Sequence, residues 1–248
     1  MEPYYEDLAA GISIYLGDSL EIIPRLGETV DHVLTDPPFN VRTEDIDLAG
    51  RTPMIRDFGD WDEGFDPTPS LEVWNGVMRP GGSALVFSSD NLISTYLAGL
   101  FKPRGLIVWV KDNPAPQPRP GYVHATELIA WLHKEGGAAT WNAGGYVPNV
   151  LRFPVCAGTE RSAHPTQKPL ALISNLMLRH TSAGECVLDP FAGTLTTAVA
   201  SKMLGRRCIA IELDERWCEI GVRRLEATTP PLFVLPNTPV TEYQEALI

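Results

Sequence analysis

The sequence predicts an α/β protein built on a doubly wound, mostly parallel sheet with helices on both faces. Three observations carry this. Short apolar runs rich in β-branched residues alternate with segments of helical periodicity, the order that a helix-covered parallel sheet requires. Glycine and proline stand where the period changes, as in Arg79-Pro80-Gly81-Gly82. At 248 residues the chain can bury one complete core, so one domain spanning 1–248 is expected, with insertions at about 41–66 and 112–165.

Taken in order, residues 13–16 read as a strand, 20–26 as one or two helical turns, and 30–35 as the next strand. That strand is stopped by Asp36-Pro37-Pro38-Phe39-Asn40, because two consecutive residues without an N–H cannot continue a ladder. Alone, the proline pair is a rigid surface turn. Residues 67–78 suit a helix broken at 79–82, 84–88 a strand, 92–101 a helix, and 106–110 and 127–133 two further strands. Near the C-terminus 187–189 ends a strand, 190–194 makes a tight turn, 196–204 is helical up to Gly205, and 208–213 is the next strand. Such a β-turn-α-β unit binds ligands outside the carboxyl ends of its strands. Three segments break the rhythm: the acidic 41–66, the proline-rich 112–124 and the glycine-rich 135–145. Long loops in a compact domain are more often functional than idle. From 228 onward the chain is expected to run extended over the surface.

Composition narrows the function classes. Cys156, Cys186, Cys208 and Cys218 are widely spaced without a C-x-x-C, and the five histidines offer no ligand spacing. Neither a disulfide framework nor a metal site is indicated, and buried free thiols are expected. The N-terminus is acidic, with no basic and apolar leader, and no apolar run is long enough to cross a bilayer, so a cytoplasmic protein away from membranes is expected. The net charge of −11 argues against a general polyanion binder. Between Lys102 and Arg179, however, nine basic residues face four acidic ones, and this positive middle could hold a polyanion in one groove.

Glu212 stands nineteen positions beyond Gly193, a spacing that suits an acid accepting hydrogen bonds from ribose hydroxyls. Three readings of this unit compete. A structural crossover needs none of its acids. A dinucleotide site shows G-x-G-x-x-G, whereas the turn here reads Gly193-Thr194-Leu195. S-adenosylmethionine is the third, since Asp189 beside the turn matches its cationic sulfonium and amine.

The motifs taken together resemble those of the amino-methylating DNA methyltransferases. DPFAGTLTT at 189–197 is similar to their D-P-F-x-G-S-G-T-T cofactor motif, and TDPPFN at 35–40 to their catalytic D-P-P-Y. AHPTQKPLALISNLMLRH at 163–180 resembles their H-P-T-Q-K-P segment. GDSLEIIPRL at 17–26, IELDERWCEIGVRRL at 211–225 and the middle stretch 108–134 also fit. The catalytic motif comes first and the cofactor motif last, the order of the circularly permuted β-class.

The resemblance implies a Rossmann-like methyltransferase sheet and site-specific transfer of a methyl group from S-adenosylmethionine to a flipped-out adenine N6 of double-stranded DNA. It assigns catalysis to Asp36, Pro37, Pro38 and Phe39, and cofactor binding to Asp18, Asp36, Thr166, Lys168, Asp189, Phe191, Gly193, Thr194 and Glu212. Asp36 and the Pro37 carbonyl would accept the amine hydrogens, Phe39 would stack on the base, and Asn40 would support the pocket or cap the turn. Arg119, Arg152 and Arg161 are the expected DNA contacts, with a short target or a homodimer implied by the small recognition region. Cytosine-N4 transfer and a non-catalytic binding protein on the same fold stay open. Two residues depart from the family pattern: Leu195 stands at the second glycine, and Phe39 replaces tyrosine.

Overall fold

In the computed structural model, which describes residues 1–40, 64–114, 121–162, 164 and 166–230, the apolar runs pair into one sheet. Its strands are β1 (Tyr5–Asp7), β2 (Ile12–Leu16), β3 (His32–Thr35), β4 (Ser83–Ser88), β5 (Lys102–Lys111), β6 (Thr126–His133), β7 (Val150–Phe153), β8 (Cys186–Asp189) and β9 (Arg207–Glu212). The helices are α1 (Ser19–Ile22), α2 (Pro67–Val77), α3 (Ile93–Ala98), α4 (Leu170–His180), α5 (Thr196–Leu204) and α6 (Glu215–Ala227). Across the sheet the order is β1-β2-β9-β8-β3-β4-β6-β5-β7. The block from β2 to β4 is parallel throughout, β6 runs antiparallel to both its neighbours, and β1 caps the far edge antiparallel to β2.

Strand periodicity decides which side chains meet which layer. Val33, Ala84, Val86 and Leu188 face one side, where Leu71 and Trp74 of α2 and Tyr96 of α3 cover them. Their neighbours Leu34, Leu85, Phe87 and Val187 face the other, against Leu172, Ile173 and Leu176 of α4. Covered on both faces, β3 and β4 are buried along their whole length. Each buried Val, Leu or Phe among them contributes about 1.5–3 kcal/mol of transfer free energy. Two of the longer helices begin where an aspartate supplies an acceptor for free N–H groups: Asp66 caps α2 at Thr68 N (2.9 Å) with Pro67 in the first turn, and Asp214 caps α6 at Arg216 N (2.9 Å).

The predicted mostly parallel, doubly wound sheet is present, with differences at its margins. β5 is longer than 106–110 and crosses an irregularity between Pro103 and Gly105. The helix expected over 92–101 ends at Ala98, because Phe101 is buried in the core just before β5 begins. β1 and β7 were not anticipated: both are short edge strands without an apolar run. The span 112–165 is not one loop, since it supplies β6 and β7. Most of the 41–66 insertion and the tail from 231 lie outside the described residues. The four thiols are free and buried. Among the described residues no helix is long and apolar enough to cross a membrane.

Leu195, the departure at the second glycine, precedes α5 with φ 61° and ψ 35°, a left-handed conformation that costs a leucine roughly 1–2 kcal/mol. Its side chain is fully buried among Ala198, Cys218 and Leu225. Room comes from Gly221 of α6, where an added Cβ would sit 2.3 Å from Leu195 Cγ. The leucine therefore keeps the glycine-like backbone and packs into the α5–α6 core. Gly221→Ala is expected to lower stability to urea by about 1–3 kcal/mol through overpacking. Adding Leu195→Ala is expected to recover part of that loss, so the two substitutions together cost less than their sum.

Candidate active site

The carboxyl ends of β2, β9, β8, β3 and β4 share one edge of the sheet. β8 continues through α5 to β9 on one side, while β3 leads through α2 to β4 on the other, so the chain reverses its winding between β8 and β3. A cavity of about 1030 Å³ opens at this switch point. It is lined by residues 17–20, 35–39, 64–66, 189–194 and 212–214 together with parts of 155–168. The DPPF and DPFAG segments, distant in sequence, become neighbours because β3 pairs with β8, His32 opposite Val187 and Val33 opposite Leu188.

Pro37 and Pro38 are buried, and the chain after them is anchored twice. Ser89 Oγ donates to the Phe39 carbonyl (2.9 Å). Asn40, at φ 55°, presents its amide to both backbone groups of Phe65: Nδ2 donates to the carbonyl (2.9 Å) and Oδ1 accepts from the N–H (2.8 Å). Asn40 thus clamps the loop to the start of α2. Phe65 in turn meets the Phe191 ring edge-on at 5.5 Å, tying one motif to the other.

Asp36 is the polar centre of this loop. Its Oδ2 accepts from Lys168 Nζ at 2.6 Å, while its Oδ1 is buried with no donor among the described residues. Burial pushes its carboxyl up to about 6; Lys168 opposes that rise and Glu127 adds to it. Asp189 is buried at the end of β8, its Oδ1 accepting from Thr35 Oγ1 (2.8 Å) and Phe191 N (3.2 Å). Burial raises it to about 6 also, against the pull of hydrogen bonds from Thr197, Thr35 and Phe191.

Glu212 ends β9 with Oε2 accepting from Gly193 N (2.7 Å) and Oε1 from Asp214 N (2.9 Å), and burial raises its carboxyl. Asp18 caps α1 through Leu20 N at 2.8 Å and borders the same cavity. Gly193 turns the chain at φ 50°, and Arg224 of α6 fixes the next residue by donating to the Thr194 carbonyl and, at 3.0 Å, to its hydroxyl. Four carboxylates, Asp18, Asp36, Asp189 and Glu212, therefore share one cavity, a donor-poor wall suited to an organic cation bearing hydroxyls.

The segment before α4 closes the cavity. Thr166 approaches His164 Nδ1 through its N–H (3.3 Å) and hydroxyl (3.4 Å). Burial, then Lys168 and Arg224, hold the His164 imidazole down to about 4, so it is neutral at pH 7. Lys168 is engaged by Asp36 and by Glu127 Oε2 at 3.2 Å. Of the expected DNA contacts, Arg161 borders the cavity, Arg152 pairs with Asp112 on the surface (2.9 Å), and Arg119 lies outside the described residues.

Several lining residues escaped sequence reasoning. Lys111 falls just beyond the strand read at 106–110 and Glu127 opens the one read at 127–133, and only the antiparallel β5–β6 ladder brings them together at this edge. Gln167, whose amide holds Ser162 N (3.0 Å) and the Glu160 carbonyl (2.8 Å), sat unremarked inside HPTQKP. Trp217, which meets His164 edge-on at 4.6 Å, carried no signal beyond its place after β9.

With this geometry in view, comparison with known proteins is specific. The N6/N4 methyltransferase family model, described as DNA methylase, matches residues 30–223. The chain is 32% identical to the Type II methyltransferase M2.DpnII of Streptococcus pneumoniae over 81% of its own length and 84% of that protein. It is 26% identical to the Type II methyltransferase M2.MboI of Moraxella bovis over 94% of each. Among solved structures it resembles the M1.HpyAVI–SAM complex at TM-score 0.70 and 30% identity, covering 86% of this chain and 98% of that one. The PvuII cytosine-N4-specific DNA methyltransferase shares the fold at TM-score 0.66 and 19% identity, over 95% of this chain and 90% of that one.

The buried carboxyl of Asp189 makes a stability prediction. A folded-state value raised from 3.8 to about 6 means the folded chain binds this proton more tightly than the unfolded one. Its contribution is then most favourable below about pH 4 and is lost as pH rises through about 6. Asp189→Asn, which keeps the acceptor for Thr35 and Phe191, is expected to raise the melting temperature by roughly 2–4 °C at pH 8 and to leave it little changed at pH 4. Thermal unfolding at the two pH values checks both.

Proposed function

The chain belongs to the DNA methylase family, and from that premise we propose that it transfers a methyl group from S-adenosylmethionine to the N6 amino group of a flipped-out adenine in double-stranded DNA. The observation that carries this reading is the buried Oδ1 of Asp36, an acceptor at the cavity with no donor among the described residues. An exocyclic amine is a poor nucleophile because its lone pair is delocalised into the ring. Asp36 Oδ1 accepts one amine hydrogen and the Pro37 carbonyl accepts the other, which favours the nitrogen as it becomes tetrahedral and positive. Pro37 and Pro38 fix the backbone so that these acceptors are set before the base arrives.

The cofactor fits the residues present. S-adenosylmethionine supplies a methyl group on a cationic sulfur, and the wall of Asp36, Asp189, Glu212 and Asp18 favours a cation there. Glu212 holds the ribose hydroxyls, since each of its oxygens keeps a lone pair after accepting a backbone N–H. Asp18 borders the adenine end, and Phe191, Gly193 and Thr194 shape the turn against the methionine portion. Thr166, from the segment before α4, serves the methionine carboxylate.

A target base must leave the duplex to reach this cavity, and the Phe39 ring stacks on it, worth roughly 1–3 kcal/mol. Phe39 in place of tyrosine keeps the stacking face. Adenine is favoured because Asp heads the catalytic tetrapeptide, as in adenine-methylating relatives of this class. Arg161 is set to meet DNA phosphate at the cavity mouth, and a homodimer supplies the remaining recognition surface.

Asp36→Ala is expected to lower methyl transfer by at least about a hundredfold while calorimetry still detects S-adenosylmethionine binding. Glu212→Ala is expected to weaken that binding about tenfold or more, the cost of a lost charged hydrogen bond. Nucleoside mass spectrometry of treated DNA is expected to show N6-methyladenine. N4-methylcytosine would move the target to cytosine, and no modified nucleoside would leave a DNA-binding protein without transfer activity. Because Asp36 must be ionised and its value stands at about 6, the rate is expected to fall about tenfold per pH unit below that point.

A further inference from the structure

Four charged side chains from four parts of the sequence form an alternating row at the edge of the cavity. Lys111, the last residue of β5, donates to Glu127 Oε1 of β6 at 2.8 Å. The other oxygen of Glu127 lies 3.2 Å from Lys168 Nζ, and that ammonium reaches Asp36 Oδ2 at 2.6 Å. The Phe39 and Phe87 rings hold the same ammonium at 5.2 and 5.1 Å, so Lys168 is caged on four sides and only 7% exposed. An ammonium has three N–H donors; one is committed to Asp36 Oδ2, and Glu127 Oε2 faces the same ammonium at ion-pair distance. Burial on this scale is tolerated only because each charge has an opposite neighbour.

We propose that Lys168 is a positioning residue for Asp36: it fixes Oδ2 so that Oδ1 faces the incoming amine, and it is itself held by the Glu127–Lys111 pair. This rests on the methyl-transfer reading above. It differs from the role that the resemblance gives Lys168, in binding the cofactor, where the methionine carboxylate is the group a lysine would meet. The row has a sense: Oδ1 of Asp36 is the unpartnered oxygen at the cavity end, while Glu127 Oε2, which also accepts no hydrogen bond among the described residues, sits behind it at ion-pair distance from the ammonium. Lys168 also keeps the carboxylate ionised, because burial raises Asp36 and the ammonium is the largest opposing influence. Burial acts against the charge on Lys168, yet Asp36 and Glu127 outweigh it and hold its value up. The other titratable groups around Asp36 are Asp189 of β8, whose carboxyl Asp36 helps to raise, and Tyr96 of α3, whose phenol is raised chiefly by burial. His124 and His164 border the same cavity.

The test is a pH–rate profile at saturating cofactor and DNA for the full chain, Lys168→Met, Lys168→Arg and Glu127→Gln, with cofactor affinity measured by calorimetry on each. Losing the ammonium is expected to move the acid limb of Lys168→Met upward by roughly one to three pH units, with cofactor affinity changed less than about threefold. Lys168→Arg keeps the charge and is expected to leave the limb in place. Glu127→Gln removes the carboxylate that raises Asp36, so its limb is expected to move down. Carbon-13 NMR titration of labelled aspartate gives the same shifts at Asp36 without turnover. A Lys168→Met protein that loses cofactor affinity while its acid limb and Asp36 titration stay put would assign the lysine to the methionine carboxylate and overturn the proposal. If Lys168→Met does not fold, an unmoved limb in Glu127→Gln overturns it equally. Absence of transfer by the unaltered chain counts against the methyl-transfer reading, whereas an unmoved titration in an active enzyme counts against the lysine's role alone.

Discussion

The pairing of β3 with β8 is the constraint on which the remaining structure depends. It brings residue 36 beside residue 189, and it is pinned at both ends by side chains. At the carboxyl edge Thr35 Oγ1 donates to Asp189 at 2.8 Å. At the amino edge Asp31 Oδ2 accepts from Cys186 N at 2.7 Å, His32 meets Glu185 at 2.9 Å, and Arg79 bridges Glu185 and Asp31. Two strands joined by only two registered pairs of residues are thereby held against sliding. A slip of one position would turn Val33 and Leu34 to the wrong faces and take the two aspartates out of register.

The two edges of this strand pair are built on opposite electrostatic principles. At the amino edge Glu185 is held down at about 2 by its hydrogen bond to His32, its backbone donor and Arg79, which together outweigh its partial burial. That network favours the ionised form and so adds stability at neutral pH. At the carboxyl edge Asp36 and Asp189 are both raised to about 6, chiefly by burial, and Asp36 adds to the rise at Asp189. Perturbed carboxylates gathered in a cavity are the mark of a working site, where the fold holds groups that would not gather unaided. A satisfied network at one end of β3 permits the strained one at the other.

The parallel centre of the sheet was legible because both faces are buried and the strands read as continuous apolar runs. β1 and β7 were not, since an edge strand such as Val150–Phe153 is recognisable only by its partner, here β5. In the site, Asp36, Asp189, Gly193 and Glu212 could be located because turn chemistry singles them out: prolines after an acid, a glycine after a strand, an acid at the end of the following strand. Glu127 and Lys111 could not. Their significance lies in a cross-strand register between segments separated by a proline-rich stretch, and no local pattern distinguishes a charged strand end that meets the cavity from one that meets solvent. Asn40 fell between, since turn chemistry allowed a cap, while its actual partner, Phe65, lies across an insertion.

Leu195 shows what a motif letter stands for. A glycine is expected there because the chain must enter the left-handed region, which is a demand on φ and not on the side chain. At φ 61° the leucine meets the demand at some cost in strain, and its side chain goes where space exists, into the notch left by Gly221 on the opposite helix. The glycine has in effect moved from the turn to its packing partner. The wall of the cavity is then formed by Gly193, Thr194 and Thr196, and the leucine stands behind it. A substitution that breaks the letter of the motif can thus preserve the surface that the motif exists to create, provided a second position, invisible to the motif, gives way.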